Sequence, residues 1–148
     1  MASNPTKPTG ALAEFILRPL FHLSLPAVDL KATRLFYTDL MGATVEREQA
    51  DLIEFNFFGG RLTAYRVAAI AAVGAMIPSD GVTPLPNFGL IMGWEDWHRA
   101  VDHLNYIGVT YRVPPTLKRD GLNRQLACFA LADPSGNCLS FSASKTSE

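Results

Sequence analysis

A chain of 148 residues, 48% hydrophobic and 18% charged, holds enough apolar material for one sizeable core in a single domain. Thirteen Lys and Arg against fourteen Asp and Glu leave a net charge of -1 and no basic run to neutralise phosphates, which argues against a nucleic-acid partner. The longest nearly uninterrupted apolar stretch, Val67 to Ile77, contains Gly74 and is about half of the roughly 20 residues that cross a bilayer, so no membrane span is expected.

From the start, Met1 to Thr9 carries Pro5, Lys7 and Pro8 with no apolar run close behind a basic start. It reads as part of a flexible arm over residues 1–18 rather than a secretory signal. Period-two alternation predicts a strand over Phe21 to Leu25. Helical spacing follows over Leu30 to Leu40, opened by Asp29 and closed by Gly42, with Leu35, Phe36 and Leu40 on one side. Strands are predicted over Thr44 to Glu48 (weaker), Leu52 to Phe58 and Leu62 to Val67. Ala68 to Pro86 begins as an Ala-rich apolar run and ends in Pro-Ser-Asp-Gly and Pro-Leu-Pro turn chemistry. It reads as a linker, or as a flap or dimer contact that would bring Met76 and Ile77 over a cavity mouth.

The second half repeats the order. A strand is predicted over Phe88 to Met92, then a helix over Asp96 to Ile107, opened by Glu95 and closed by Gly108, with Trp97, Ala100, Val101 and Leu104 on one face. A weaker strand over Thr110 to Val113 precedes a loop holding Lys118, Arg119 and Asp120, and strands over Gln125 to Leu131 and Leu139 to Ser142 finish the chain. Asp29-Leu30 to Gly42 aligns with Glu95-Asp96 to Gly108 at an offset of 66 residues. The expectation is an α+β fold of two βαβββ modules, about residues 20–67 and 87–144, joined by linker 68–86 within one domain over 19–145. Each helix covers one face of its sheet, and the other faces form a concave mixed β-sheet cavity.

Parity sorts the faces. Asp133-Pro134-Ser135-Gly136-Asn137 is a turn, and a hairpin symmetric about Ser135 pairs Phe129 with Phe141 and Leu131 with Leu139 in the core. Ala130 then faces Ser140 and Cys128 faces Ser142 on the open side. Cys128 and Cys138 are not opposite each other, so no disulfide is expected, and two lone cysteines suit a reducing cytoplasm. In the first module Ile53, Phe55 and Phe57 point to the core, while Glu54, Asn56 and Phe58 share the open face with His22 and Ser24. Asn87, Gly89 and Ile91 take the same face in the fifth strand. His98 and His103, five residues apart on the second helix, read as surface or helix-flank residues.

Phe21-His22-Leu23, Phe36-Tyr37, Pro86-Asn87-Phe88-Gly89, Trp94-Glu95-Asp96-Trp97-His98 and the stretch Asp133 to Phe141 resemble the vicinal oxygen chelate superfamily. That group includes glyoxalases, extradiol dioxygenases and bleomycin-resistance proteins, and the likeness runs from about Leu20 to Ala143. The resemblance implies a divalent metal held by residues of the first, fourth, fifth and eighth strands, which here are His22, Tyr65, Asn87 and Ser140. Relatives typically carry His at the position of Asn87 and Glu at that of Ser140. Only His22 remains a good ligand, because amide and hydroxyl oxygens bind Zn, Fe or Mn weakly. Glu54 and Cys128 are the residues from which a replacement ligand set would have to be rebuilt.

The expectation is a site without metal or cofactor, in which His22 moves a proton while Tyr65 and Asn87 hydrogen-bond a carbonyl that gains charge. Ser140 orients the substrate. Glu54, Asn56, Phe58, Thr63, Ile91, Cys128 and Ala130 complete a wall that suits a hydrophobic, polycyclic or polyketide-like molecule, and Arg66 and Arg124 allow an anionic one. The leading reading is isomerisation, cyclisation or dehydration in specialised-metabolite biosynthesis by a cytoplasmic protein that, as its relatives commonly do, forms a homodimer. The alternatives are a binding protein that sequesters a drug, as bleomycin-resistance relatives do, and a metal-dependent lyase or dioxygenase with rebuilt ligands.

Overall fold

Two four-stranded sheets, each with one helix laid across it, make up the computed structural model, which describes residues 21–70 and 83–146. The expected arm over 1–18 and most of the linker, with Met76 and Ile77, lie outside the described residues. The first module runs β1 (His22–Ala27), α1 (Leu30–Leu35), β2 (Thr44–Glu48), β3 (Leu52–Phe57) and β4 (Gly60–Arg66). The second runs β5 (Asn87–Ile91), α2 (Trp94–Ile107), β6 (Val113–Asp120), β7 (Arg124–Ala132) and β8 (Cys138–Thr146). Strand orders are β1-β4-β3-β2 and β5-β8-β7-β6, with β1 parallel to β4 and β5 parallel to β8. This is the doubled strand, helix, three-strand order that the sequence predicts.

Local chemistry starts and stops the elements. Asp29 caps α1, its side chain accepting from the Ala32 amide at 3.0 Å, and a π-helical turn over Phe36–Leu40 carries the helix on. The second helix differs from expectation: Gly93 stands at its N-cap with no side-chain bond, and Glu95 lies in the first turn, where a carboxylate favours the helix dipole. Phe58, expected on the face of β3, sits instead in the two-residue turn between β3 and β4 with φ 52°, beside Gly59 at φ 90°. Lys118, Arg119 and Asp120, read from sequence as a loop, belong to β6. After an irregularity at Pro114 and Pro115, where proline has no N–H for the ladder, pairing with β7 resumes at Thr116.

Both cores are aromatic and they merge. Tyr37 lies 5.4 Å from Phe55, Trp97 lies 5.6 Å from Phe129, and Phe129 stacks on Phe141 at 4.9 Å. Phe57 meets Phe88 across the module boundary at 6.0 Å. A polar lock closes the same boundary. Buried Asp133 accepts from the Tyr37 hydroxyl (2.8 Å), the Ser135 and Asn137 amides (2.9 Å each) and the Asn137 side chain (2.8 Å). Asn137 also donates to the Pro26 carbonyl, and the Val28 amide donates to the Ser135 hydroxyl, each at 3.0 Å. The turn that joins β7 to β8 is thereby bonded to β1, to Val28 just after it and to the π-helical turn that follows α1. Among the described residues no helix is long and apolar enough to cross a membrane.

Candidate functional site

The open faces follow the expected parity. On the first sheet, register aligns His22 with Arg61 and Asn56, Ser24 with Thr63 and Glu54, and Pro26 with Tyr65 and Leu52. On the second, Asn87, Gly89 and Ile91 lie beside Cys138, Ser140 and Ser142, which face Ala132, Ala130 and Cys128 in turn. Gly89 is required there, because a Cβ would sit 1.7 Å from the Ser140 carbonyl oxygen.

The residues expected at the site fall into separate groups. Ser140 donates to the Asn87 side-chain oxygen at 2.9 Å, and the Asn87 amide donates to the Pro84 carbonyl at 3.1 Å. The His22 imidazole is exposed and makes no hydrogen bond or ion pair among the described residues. Tyr65, also exposed, stands four residues further along β4 than the residue aligned with His22, about 13 Å at strand rise. Asn56 accepts from the Gly59 amide at 2.9 Å, which engages it in the hairpin turn that also carries Phe58. Thr63 is buried between Ser24 and Glu54 in the ladder. Arg66 ends β4, and Arg124 pairs with Asp120 at 3.4 Å.

Glu54 is buried and holds two arginines: Arg47 Nε lies 2.7 Å from one carboxylate oxygen and Arg61 Nε lies 2.9 Å from the other. Sequence reasoning missed Arg47, because simple alternation brings Glu46 opposite Glu54. A one-residue bulge after Val45 shifts the register so that Arg47 takes that place.

A hollow of about 380 Å³ lies against the open face of the second sheet. Ile91, Val113, Leu126 and Cys128 supply its apolar wall, Thr83, Thr116 and Ser142 its hydroxyls, and Lys118 and Arg124 its charges. Ile91 is 90% exposed, and of the residues expected at the site it, Cys128 and Arg124 line this hollow. Ser142 was legible in sequence as the next open-face residue after Ser140. Thr116 was not read as a site residue because the strand was expected to end at Val113, whereas Leu126 shares the parity of Cys128 and Ala130 and was legible on the open face. Cys128 and Cys138 are both free thiols, and burial pushes the Cys138 thiol up from its ordinary range.

A divalent metal does not fit this donor set. Asn87 and Ser140 satisfy each other, Glu54 is neutralised by two guanidinium groups, and Tyr65 is displaced along β4 from His22. Among the described residues no three His, Cys, Asp or Glu side chains are grouped to hold an ion.

Two βαβββ modules with parallel β1–β4 and β5–β8 pairs and open sheet faces define a protein of the glyoxalase fold. The profile of the Glyoxalase/Bleomycin resistance protein/Dioxygenase superfamily matches residues 20–141, and the chain belongs to that superfamily. Among solved structures it is similar to a glyoxalase/bleomycin resistance protein/dioxygenase from Alicyclobacillus acidocaldarius, at 25% identity and TM-score 0.69 over 84% of this chain and 90% of that one. It shares the fold of lactoylglutathione lyase from Agrobacterium tumefaciens (17% identity, TM-score 0.62, 84% and 92% covered). It also shares that of the fosfomycin resistance protein FosX from Listeria monocytogenes (13%, 0.62, 86% and 94%). No curated protein matches the sequence.

Proposed function

We propose that this chain receives a hydrophobic small molecule on its open sheet faces and acts on it without a divalent metal. The observation that supports this is the hollow on the second sheet, whose apolar wall includes an isoleucine left 90% exposed. The chemistry we assign is isomerisation, cyclisation or dehydration, with His22 as the acid-base group because its imidazole is uncommitted, and Tyr65 and Asn87 as hydrogen-bonding groups. Such chemistry suits specialised-metabolite biosynthesis in a reducing cytoplasm, where two free thiols are stable. A second copy of the chain, in a homodimer, is the element that would bring both open faces onto one ligand.

A second reading is sequestration without chemistry, and a specific observation favours it: the hollow is lined by no histidine, tyrosine or carboxylate, so none of the groups assigned to the reaction lies in it. A metal-dependent reading would need Glu54 as a ligand, and two arginines already occupy it.

The test is a fluorescence titration with the neutral dye 1-N-phenylnaphthylamine, beside elemental mass spectrometry after incubation with Mn, Fe, Ni and Zn and desalting. Saturable binding, weakened roughly tenfold by Ile91→Glu, is the expected result. Absence of binding, or stoichiometric metal that His22→Ala abolishes, overturns the proposal. Candidate hydrophobic substrates then separate the two readings: tight binding with the ligand recovered unchanged identifies a binder, and turnover lost in His22→Ala identifies the enzyme.

A further inference from the structure

We propose that Arg47, Glu54 and Arg61 form a seat for an anionic group, a carboxylate, sulfonate or phosphate, on the open face of the first sheet. This rests on the reading that the open faces receive a small molecule, and it adds a negatively charged end to that molecule. Three observations carry it. Glu54 is buried, Arg47 donates to it through Nε and the Nε of Arg61 lies against its other oxygen, and no terminal nitrogen of either guanidinium group makes a hydrogen bond among the described residues. A guanidinium anchored by one edge keeps donors oriented for a second, planar anion. The two arginines outweigh the one carboxylate, and His22 lies in register with Arg61.

The bulge in β2 is the third observation. Thr44 faces Asn56 and Val45 faces Phe55, so a regular ladder would set Glu46 against Glu54, a repulsive pair with no cation between them. The extra residue brings Arg47 opposite Glu54 instead. The next carboxylate on β2, Glu48, is taken up by Arg34 at 3.3 Å. Burying a carboxylate between two cations is not a strong way to stabilise a hairpin, since apolar residues of similar volume do as well. Its distinctive effect is to hold two half-exposed guanidinium groups close together on the open face. Glu54 is thus a positioning residue and the arginines are the binding residues.

The experiment compares two dyes with the same apolar body, neutral 1-N-phenylnaphthylamine and anionic 8-anilinonaphthalene-1-sulfonate. The wild-type chain should bind the sulfonate about tenfold more tightly than the neutral dye, and inorganic phosphate should displace only the sulfonate. In Arg47→Gln, Arg61→Gln and Glu54→Gln the ratio should fall toward one while neutral-dye binding holds, whereas simple structural damage would weaken both dyes together. Equal affinities in the wild-type chain, or a ratio that survives all three substitutions, overturn the anion seat and leave the apolar hollow standing. If neither dye binds, the hollow reading fails by itself. The seat is then judged by titrating inorganic phosphate while following the Nε–Hε NMR signals of Arg47 and Arg61: saturable shifts support it and unmoved signals overturn it.

Discussion

Removing one oxygen atom tests whether the lock between the modules holds them together. The Tyr37 hydroxyl is fully buried and donates at 2.8 Å to Asp133, whose carboxylate has three other donors, all from its own turn. Tyr37→Phe removes the only one of the four that comes from the first module. A hydrogen bond to a charged acceptor contributes about 1.5–3 kcal/mol, and three remaining donors limit the penalty on Asp133, so the expected loss is about 2 kcal/mol. For a domain of this size each kcal/mol moves the melting temperature by about 2–4 °C, which gives a drop of about 4–8 °C by calorimetry. Burial first, then the charge of Asp133 and the hydrogen bond, hold the Tyr37 phenol far above the ordinary tyrosine range. The native state therefore keeps a proton that the unfolded chain releases near pH 10. Its contribution is complete below that pH and is lost above it by about 1.4 kcal/mol per pH unit. Denaturant-unfolding curves of wild type and Tyr37→Phe should differ by the full amount at pH 7 and converge roughly 1.5 pH units above 10. A difference under about 0.5 kcal/mol at pH 7, or one that does not shrink in alkali, would show that the Tyr37–Asp133 bond does not help to join the modules.

Gly89→Ala should be among the most damaging small substitutions, since the new Cβ would fall 1.7 Å from the Ser140 carbonyl oxygen in the neighbouring strand. Opening β5 from β8 to admit it should cost about 3 kcal/mol or more, read as a shifted urea midpoint, and a midpoint unchanged within error would refute the close approach. Thiol labelling followed by intact mass should show Cys128, half-buried beside the hollow, reacting in the native protein. Cys138, buried and with its thiol pushed up, should react only after denaturant is added, and equal rates in Cys128→Ser and Cys138→Ser would contradict that ordering.

Much of the fold is legible in the sequence because its signals are local and periodic. Asp29 and Gly108 mark helix ends by residue type, and the Asp133 to Asn137 turn fixes the β7–β8 register from which Cys128–Ser142 and Ala130–Ser140 follow. The failures come from insertions that break the period. Two prolines interrupt β6 and made its charged half look like a loop, and the bulge at Glu46 hides Arg47 from any parity argument. Open-face membership was readable for His22, Glu54, Asn87, Ser140 and Cys128. What each does there was not, because it depends on strand register and tertiary contact: Ser140, 53 residues away, for Asn87, and Arg47, brought opposite by a bulge, with Arg61 for Glu54. Nothing in the local pattern announces that Tyr37 and Asp133, 96 residues apart, meet.

The lock and the two faces bear on one another. A metal shared between sheets would cross-link them, and a chain whose donors do not suit a metal needs another constraint on how the sheets sit. Here the Asp133 to Asn137 turn supplies it, bonding to Pro26 and Val28 at the end of β1 and to Tyr37 beyond it. These bonds fix the strand that carries His22 against the module that carries Asn87 and Ser140, and no side chain of either open face takes part in them. The faces are then free to diverge in chemistry without loss of register. One bears paired guanidinium groups, an imidazole and an amide, and the other bears small hydroxyls around an apolar hollow. A molecule that satisfied both would have a charged end and a hydrophobic body, and each end would meet a surface free to vary independently of the core.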